Sequence, residues 1–455
     1  MNIPANAKTQ TISGEKYVFI DTPYWNAEKH RGEHKRRYIG KIVEGQFVPN
    51  GRYLLSLEKS GTIKPGPVPV TECKRQFYGA TYLLDQIGDK LGIVDDLKAS
   101  FPDKYKQLLS LAYFFVLEEG MSAYRLRKWA LTHKHSYGRD IPSQRISDLM
   151  GSIDEASKMN FFRRQARRRA EKEFLAFDTT SISSYSELIK FAKYGKNKEG
   201  DHLPQINLAL LYGEVSRLPV YFRKLTGNTA DVSLIRNLML DIDFLDMKKL
   251  SFVMDRGFYS EKNINDLMKH HHKFLIGIRC GLKIARKHLD EVRGEQLVSW
   301  ENYHDDVGLY AMSFSDEWDY REEHPRTGKC ICDKRRVYVH IYFNDQRCTD
   351  ERLSFAKYLT CLQDELKSGR KTEGHLKDYD KYFVVSETLK KGLHIIPNGD
   401  AIREHQRDFG YFVLLSNGIK DPEEAINLYR VRDLIEKAFA NLKERLDMRR
   451  MSVSS

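Results

Sequence analysis

Two apolar runs in this 455-residue chain end on an aspartate, Phe174-Leu-Ala-Phe-Asp178 and Ser251-Phe-Val-Met-Asp255. Each reads as a short buried strand that delivers a carboxylate to a sheet edge, where ligands of open α/β sheets gather. If the two strands are neighbours, the carboxylates repel, and one takes up a proton unless a cation stands between them. Mg2+ or Mn2+ suits that place, because both favour oxygen ligands. A third acid comes from near the C-terminus. At about 100° per residue, Tyr429, Arg432, Glu436 and Lys443 fall within a sector of about 60° of one helix. Val431, Leu434, Ile435, Ala438, Leu442 and Leu446 take the opposite side. An Arg–Glu pair at i, i+4 is ordinarily a plain helix salt bridge. A carboxylate between two cations, with a phenol in the same row, instead suits a metal ligand flanked by phosphate contacts.

With these residues in view, the chain resembles a bacterial insertion-sequence transposase of the DDE type. The group is the one with a Tyr-Arg-Glu-Lys signature, insertion-sequence family 4 and its relatives. The matching residues are Phe177-Asp178-Thr-Thr, Met254-Asp255-Arg-Gly-Phe-Tyr259 and Tyr429-x-x-Arg432-x-x-x-Glu436-x-x-x-x-x-x-Lys443. Leu225-Thr-Gly-Asn-Thr-Ala-Asp231, between the two aspartates, fits the same group. The resemblance runs from about residue 77 to 450. It implies a ribonuclease-H-like mixed-sheet core, in which Asp178, Asp255 and Glu436 hold two Mg2+ (or Mn2+) ions. It also implies that Tyr429, Arg432 and Lys443 contact DNA near the cleaved end. The expected reaction is hydrolysis at the transposon end, then attack of the freed 3′-OH on target DNA. The partners it implies are double-stranded DNA, as terminal inverted repeats and as target, and a second copy of the chain in a DNA-bound homodimer. Members of this group usually continue well past the signature lysine, whereas 12 residues follow Lys443 here. The alternative expectation is therefore a shortened, catalytically inactive relative that only binds DNA.

The elements that must position these residues can be read coarsely. Residues 1–65 form a β-rich region, with strands at Lys16–Ile20 and Arg37–Val43 and turn residues at Pro49-Asn-Gly51. Residues 66–170 read as a helical DNA-binding domain. In it Tyr82–Leu91 carries i, i+3, i+4 apolar spacing, and Ser143 is the expected N-cap of the helix that follows Pro142. A helix-turn-helix fits this region without a fixed register. From Asp154 a helix runs into Arg163, Arg164, Arg167, Arg168 and Arg169, five arginines in seven positions; the first four are expected DNA contacts. Residues 171–281 give three strands, a helix, a strand, a helix and a strand, the first part of an α/β core. Residues 282–410 read as a largely β insertion. Residues 411–455 return to the core, where Asp421-Pro-Glu-Glu424 starts a helix that continues to about Met448.

Composition narrows the class. The chain has 75 Lys+Arg against 63 Asp+Glu, a net charge of +12, which favours polyanion partners. Hydrophobic residues make up 41%, too many for wholesale disorder. The apolar run Leu108–Leu117 is about half of the ~20 residues a bilayer requires, so a membrane protein is not expected. No leader segment is apparent, and six cysteines do not make a disulfide framework. The expected compartment is the bacterial cytoplasm, in association with the nucleoid. Cys330-Ile-Cys332 lacks the paired spacing of a zinc site. The run His270-His-His272 reads as helix-end surface. A phosphohydrolase with an aspartate nucleophile would want a second Asp two residues after the first, where this chain has Thr180.

Overall fold

The computed structural model describes residues 2–59, 75–169, 173–186, 188–195, 200–229, 231–323, 330–388 and 392–451. The expected boundaries at 65/66 and 170/171, and Ala230 of the Leu225–Asp231 motif, lie outside them. The chain divides into two compact units, residues 1–76 and 77–455.

In the first unit, both expected strands are parts of longer ones. β1 (Ala7–Ile12), β2 (Glu15–Asn26), β3 (Arg31–Val43) and β4 (Gln46–Pro49) form an antiparallel sheet in chain order. Helix α1 (Gly51–Lys59) follows, and Val18, Ile39, Phe47 and Tyr53 make the small core between sheet and helix.

The second unit opens with helices α2 (Gly79–Lys90), α3 (Ile93–Ser100), α4 (Tyr105–Leu117), α5 (Leu126–Thr132), α6 (Ser143–Gly151) and α7 (Glu155–Arg169). Leu109, Phe114, Leu126, Trp129 and Ile146 bring α4, α5 and α6 onto one core. Ser143 is the first residue of α6 and not its cap; extended Pro142 holds the cap position.

A ten-stranded mixed sheet comes next. Its elements are β5 (Phe174–Ser184), β6 (Gln205–Gly213), β7 (Pro219–Thr226), α8 (Asp231–Phe244), β8 (Ser251–Met254), α9 (Glu261–Lys269), β9 (Lys273–Ile278) and α10 (Lys283–Val292). Then come β10 (Tyr303–His304), β11 (Leu309–Glu323), β12 (Cys330–Phe343), α11 (Asp345–Ser368), α12 (Leu376–Tyr382), β13 (Phe383–Thr388), β14 (Gly392–Pro397) and α13 (Gly399–Gln406). The last elements are β15 (Tyr411–Ser416), α14 (Pro422–Arg430), α15 (Arg432–Glu444) and β16 (Arg450–Met451). Along the sheet the order is β10-β11-β12-β15-β9-β8-β5-β6-β7, with β16 also on β5. β5, β8 and β9 are parallel, and β6, β7, β15, β12 and β11 are antiparallel to their neighbours. Apolar residues of α7, α8, α9 and α10 pack on one face of the sheet. Helices α14 and α15 cover the other, over Val253, Leu275, Leu414 and Ala176.

The stretch 282–410 differs from its largely β expectation. Its long hairpin β11–β12 extends the main sheet, because β12 pairs with β15. Between β12 and β15 the chain is mostly helical, with one hairpin, β13–β14. Phe355, Leu359, Leu362 and Leu366 repeat at helical spacing within the charged run of α11 and build their own core. Asn344 caps that helix by accepting from Arg347 N (2.7 Å), and Gly369 ends it at φ +69°.

The C-terminal helix begins as expected, with Asp421 Oδ2 accepting from Glu424 N (2.7 Å) and Pro422 in the first turn. It is interrupted at Val431, and α15 ends at Glu444 and not near Met448. The chain then returns to the sheet as β16. Among the described residues no helix is long and apolar enough to cross a membrane.

His272, expected at the surface, is buried, since Leu250 N donates to its Nδ1 (3.2 Å) and its ring meets Phe252 edge-on. Burial lowers the pKa of His272, and likewise that of fully buried His340 on β12, to about 4. Between pH 6.5 and 4 the unfolded chain therefore takes up protons at these imidazoles before the folded chain does. Stability should fall with pH across that window by up to about 1.4 kcal/mol per pH unit for each. Urea midpoints of the wild type and of His340→Phe, taken from pH 6.5 to 4, should show the shallower acid slope in the variant.

Candidate active site

Strand β5 does not stop at Asp178. Thr179, Thr180, Ser181, Ile182, Ser183 and Ser184 continue it, all buried, and β6 pairs with it from Leu175 to Ser183. β-Branched and small residues suit such a central strand. β8 does stop at Met254. Asp255 remains extended, and a short 3-10 turn, Arg256–Phe258, takes the chain away from the sheet. The parallel register runs Phe174↔Ser251 to Phe177↔Met254. Asp178 and Asp255 are therefore the next residues on adjacent strands, at a strand spacing of about 4.8 Å. Side chains alternate across a sheet. Asp178 thus shares the face of Ala176, which packs on Ile435 and Phe439 of α15, and Asp255 shares that of Val253, under α14.

That face brings in the C-terminal residues. Arg432 Nη1 donates to Asp255 Oδ1 at 2.6 Å and to Tyr429 Oη at 3.2 Å, and its Nη2 lies 3.2 Å from Glu436 Oε1. Tyr429 Oη also donates to Asp255 Oδ1 (3.1 Å). Asp178 Oδ1 accepts from Thr179 N (2.7 Å); burial lowers the Arg432 pKa, but Tyr429, Asp255, Glu436 and Asp178 together outweigh it and raise the value above its ordinary one. Burial pushes the Tyr429 phenol far above its ordinary range, with the Asp255 carboxylate adding to the effect, so it serves as a donor. The side chains of Asp255 and Glu436 remain 41% and 54% exposed, open to a ligand from solvent.

Of the residues read from the sequence, the structure thus joins Asp178, Asp255, Tyr429, Arg432 and Glu436. Lys443 lies two helical turns beyond Glu436, about 10 Å along the axis. The arginine run of α7 is mostly committed elsewhere. Arg168 makes a bidentate pair with Asp96 (2.7 and 2.8 Å), which is 1% exposed and also accepts from Gln165 (2.6 Å). A Cβ on left-handed Gly92 (φ +71°) would collide with that guanidinium. Arg163 donates to Phe244 O (3.0 Å), and Arg167 pairs with Asp246 (3.2 Å). Arg164 is the one of the four expected DNA contacts with an exposed side chain and no partner among the described residues. The apolar side of α15 also shifts from its expected composition. Phe439, not counted from the sequence, is buried beside Ile435, and Leu446 is exposed.

One site residue was passed over. A Cβ on Gly277 of β9 would stand 2.8 Å from Tyr429 Oη and 3.2 Å from Arg256 N. The missing side chain leaves room for the phenol to cross β9 and reach Asp255. The signal was a glycine inside an apolar strand, which marks a close approach. Gly277 also lies in a groove of about 960 Å3 that leads from Asp255, Tyr429 and Arg432 past Arg279 to Arg347 and Phe355 of α11.

The donor set fits a hard divalent cation, since it is three carboxylates on one sheet face, two of them side by side. Among the described residues no group of three His, Cys, Asp or Glu converges on one ion position. The Arg432 guanidinium stands between Asp255 and Glu436, where it neutralises both.

A family model described as "Transposase DDE domain" matches residues 169–455. No curated protein matches the chain. Among solved structures, one similar chain comes from "Cryo-EM structure of piggyBac transposase synaptic complex with hairpin DNA (SNHP)". It is 11% identical with a TM-score of 0.36, and the match covers 79% of this chain and 59% of that one. Another comes from "Crystal structure of the Mos1 Strand Transfer Complex", 11% identical with a TM-score of 0.16, over 50% of this chain and 68% of that one.

The Gly277 contact gives a direct test. Gly277→Ala should cost about 1–2 kcal/mol by overpacking in the wild type and clearly less in a Tyr429→Phe background, where the phenolic oxygen is gone. Urea unfolding of the two single variants and the double variant measures this coupling.

Proposed function

The chain belongs to the transposase DDE domain family, and on that basis we propose that it moves an insertion sequence of the Tyr-Arg-Glu-Lys group. It would hydrolyse phosphodiester bonds at the transposon ends and join the freed 3′-OH to target DNA. The observation that carries this reading is the register of β5 against β8, with Asp178 beside Asp255 and Arg432 and Glu436 over them. The sheet, with parallel β5, β8 and β9 at its centre and antiparallel β6 and β7 beside them, is consistent with a ribonuclease-H-like core.

In this reading Asp178, Asp255 and Glu436 hold two Mg2+ or Mn2+ ions. Such ions, when bound, supply an activated water and neutralise charge on the attacking and leaving oxygens. The protein's own contribution is placement. Asp178 and Asp255 are set by the strands, and Glu436 becomes available as Arg432 turns from carboxylate to phosphate. Arg432 suits that exchange. Its buried Nε has no acceptor among the described residues, so the guanidinium has a donor to offer a DNA phosphate. Tyr429, kept protonated, donates at the same point. Lys443 contacts the backbone further along, in keeping with its distance from Glu436. The helical region before β5 engages the terminal repeats, and two copies act together on DNA.

Asp178→Asn and Glu436→Gln are each expected to bind labelled end DNA as the wild type does and to lose Mg2+-dependent strand cleavage. Normal cutting by either purified variant would overturn the assignment. If the wild type also binds without cutting, the chain acts as a DNA-binding relative alone. Arg432→Ala should weaken end affinity about tenfold, roughly 1.4 kcal/mol, in a titration without divalent metal; unchanged affinity would remove Arg432 from the phosphate contact.

A further inference from the structure

The four-stranded sheet of the first unit is not of even depth. β1 pairs with β2 only as far as Ala7↔Ile20, and β4 pairs with β3 only from Gly40 to Val43. Beyond them the pairs Asp21↔Arg36 to Asn26↔Arg31 have no third strand among the described residues. These six pairs make a two-stranded ribbon about 20 Å long.

An isolated ribbon of that size is marginal in water unless something holds it. Here the ribbon continues the sheet, and one carboxylate links its two strands. Glu33 accepts from Tyr24 Oη (3.0 Å), Asn26 Nδ2 (2.9 Å), Lys29 Nζ (3.2 Å) and Arg31 Nη2 (3.0 Å). Asn26 Oδ1 closes the turn by accepting from Glu28 N (3.1 Å) and Lys29 N (3.2 Å). Among the described residues these polar bonds link the ribbon's two strands. Trp25 is 66% exposed and stands opposite Gly32, which offers it no side chain. Tyr24 is 47% exposed. Residues 21–36 carry four Lys or Arg against three acids, Asp21, Glu28 and Glu33, and residues 2–59 carry ten Lys or Arg against six Asp or Glu. Lys35, Arg36 and Arg37 follow one another on β3, so they alternate between its faces. Arg36 bonds Gln10 (3.0 Å) and Arg37 bonds Ser56 (2.8 Å) at the ribbon's base, and Lys35 has no partner among the described residues.

We propose that the β2–β3 ribbon is a DNA-binding element that enters a groove of the double helix. The major groove, about 12 Å wide, admits a two-stranded ribbon. Lys35 reaches a phosphate at its wall, and the Trp25 indole lies against base or sugar edges at the tip. The excess of positive charge over residues 2–59 is what singles out a polyanion as occupant, and the ribbon's narrow, two-stranded form is what singles out a duplex groove. This element is remote in sequence from the catalytic acids and does not depend on their chemistry.

The test is fluorescence anisotropy of the full chain on a labelled duplex of arbitrary sequence in EDTA, so that cleavage plays no part. Trp25→Ala with Lys35→Ala should weaken duplex binding at least about tenfold. Lys35→Ala alone should flatten the log–log salt dependence by about 0.9, the increment of one phosphate contact, and Lys35→Arg should restore it. Circular dichroism confirms that the variants fold. The inference is overturned if duplex affinity and salt slope are unchanged. It is equally overturned if the substitutions weaken only a single-stranded oligonucleotide, or only vesicles of anionic phospholipid. Failure of cleavage with these effects intact would count against the catalytic reading and leave the ribbon's role standing.

Discussion

Two like charges placed one residue past the last shared register of two parallel strands set the terms for this site. The backbone leaves Asp178 and Asp255 no freedom to separate, because β5 and β8 are held by pairing up to Phe177 and Met254. Two charges held at about the strand spacing of 4.8 Å would repel by about 3 kcal/mol at an effective dielectric of 20. A positive charge must lie near them, and in the folded chain Arg432 supplies it. The same repulsion is what makes the position attractive to a divalent cation. Structural neutralisation and the proposed metal binding are two answers to one electrostatic demand.

The reach of Arg432 depends on features remote from it in sequence. Helices α14 and α15 lie on the sheet through Ala425 and Ile426 of one and Ile435 and Phe439 of the other. Tyr342 Oη bonds Pro422 O (2.7 Å) and holds the start of α14 against β12. The interruption at Val431 divides the signature between the two helices, with Tyr429 on the first and Arg432 and Glu436 on the second. Gly277 then makes room for the phenol. Strand, glycine and helix break together convert a row of polar residues into a converging cluster.

The arginine run of α7 shows the opposite outcome. Five arginines in seven positions looked like a polyanion surface, yet Arg168 and Asp96 tie α7 to α3, and Arg163 and Arg167 tie it to the end of α8. Long cationic side chains cover apolar surface and reach acceptors several residues away. Their density in sequence therefore says little about which of them face solvent. The β2–β3 ribbon carries four Lys or Arg, and among the described residues it has no third strand, which no local pattern reveals.

What the sequence determined by itself was local. It held the apolar strands before Asp178 and Asp255, the Asp421 cap, the mixture of strands and helices, and the spacing from Tyr429 to Lys443. These depend on neighbours a few residues apart, so periodicity and side-chain chemistry report them. Other features were decided only by tertiary structure. β5 runs past Asp178 because β6 pairs with it there. Residues 345–368 are helical because Phe355, Leu362 and Leu366 find a common core with Tyr379 and Tyr382. His272 is buried because β9 carries it beside Phe252. Arg432, not Lys443, meets Asp255 because a helix advances about 1.5 Å per residue and only its first turns pass the strand ends. Each of these outcomes rests on a partner distant in the chain, and the choice of that partner is made by packing the whole sheet.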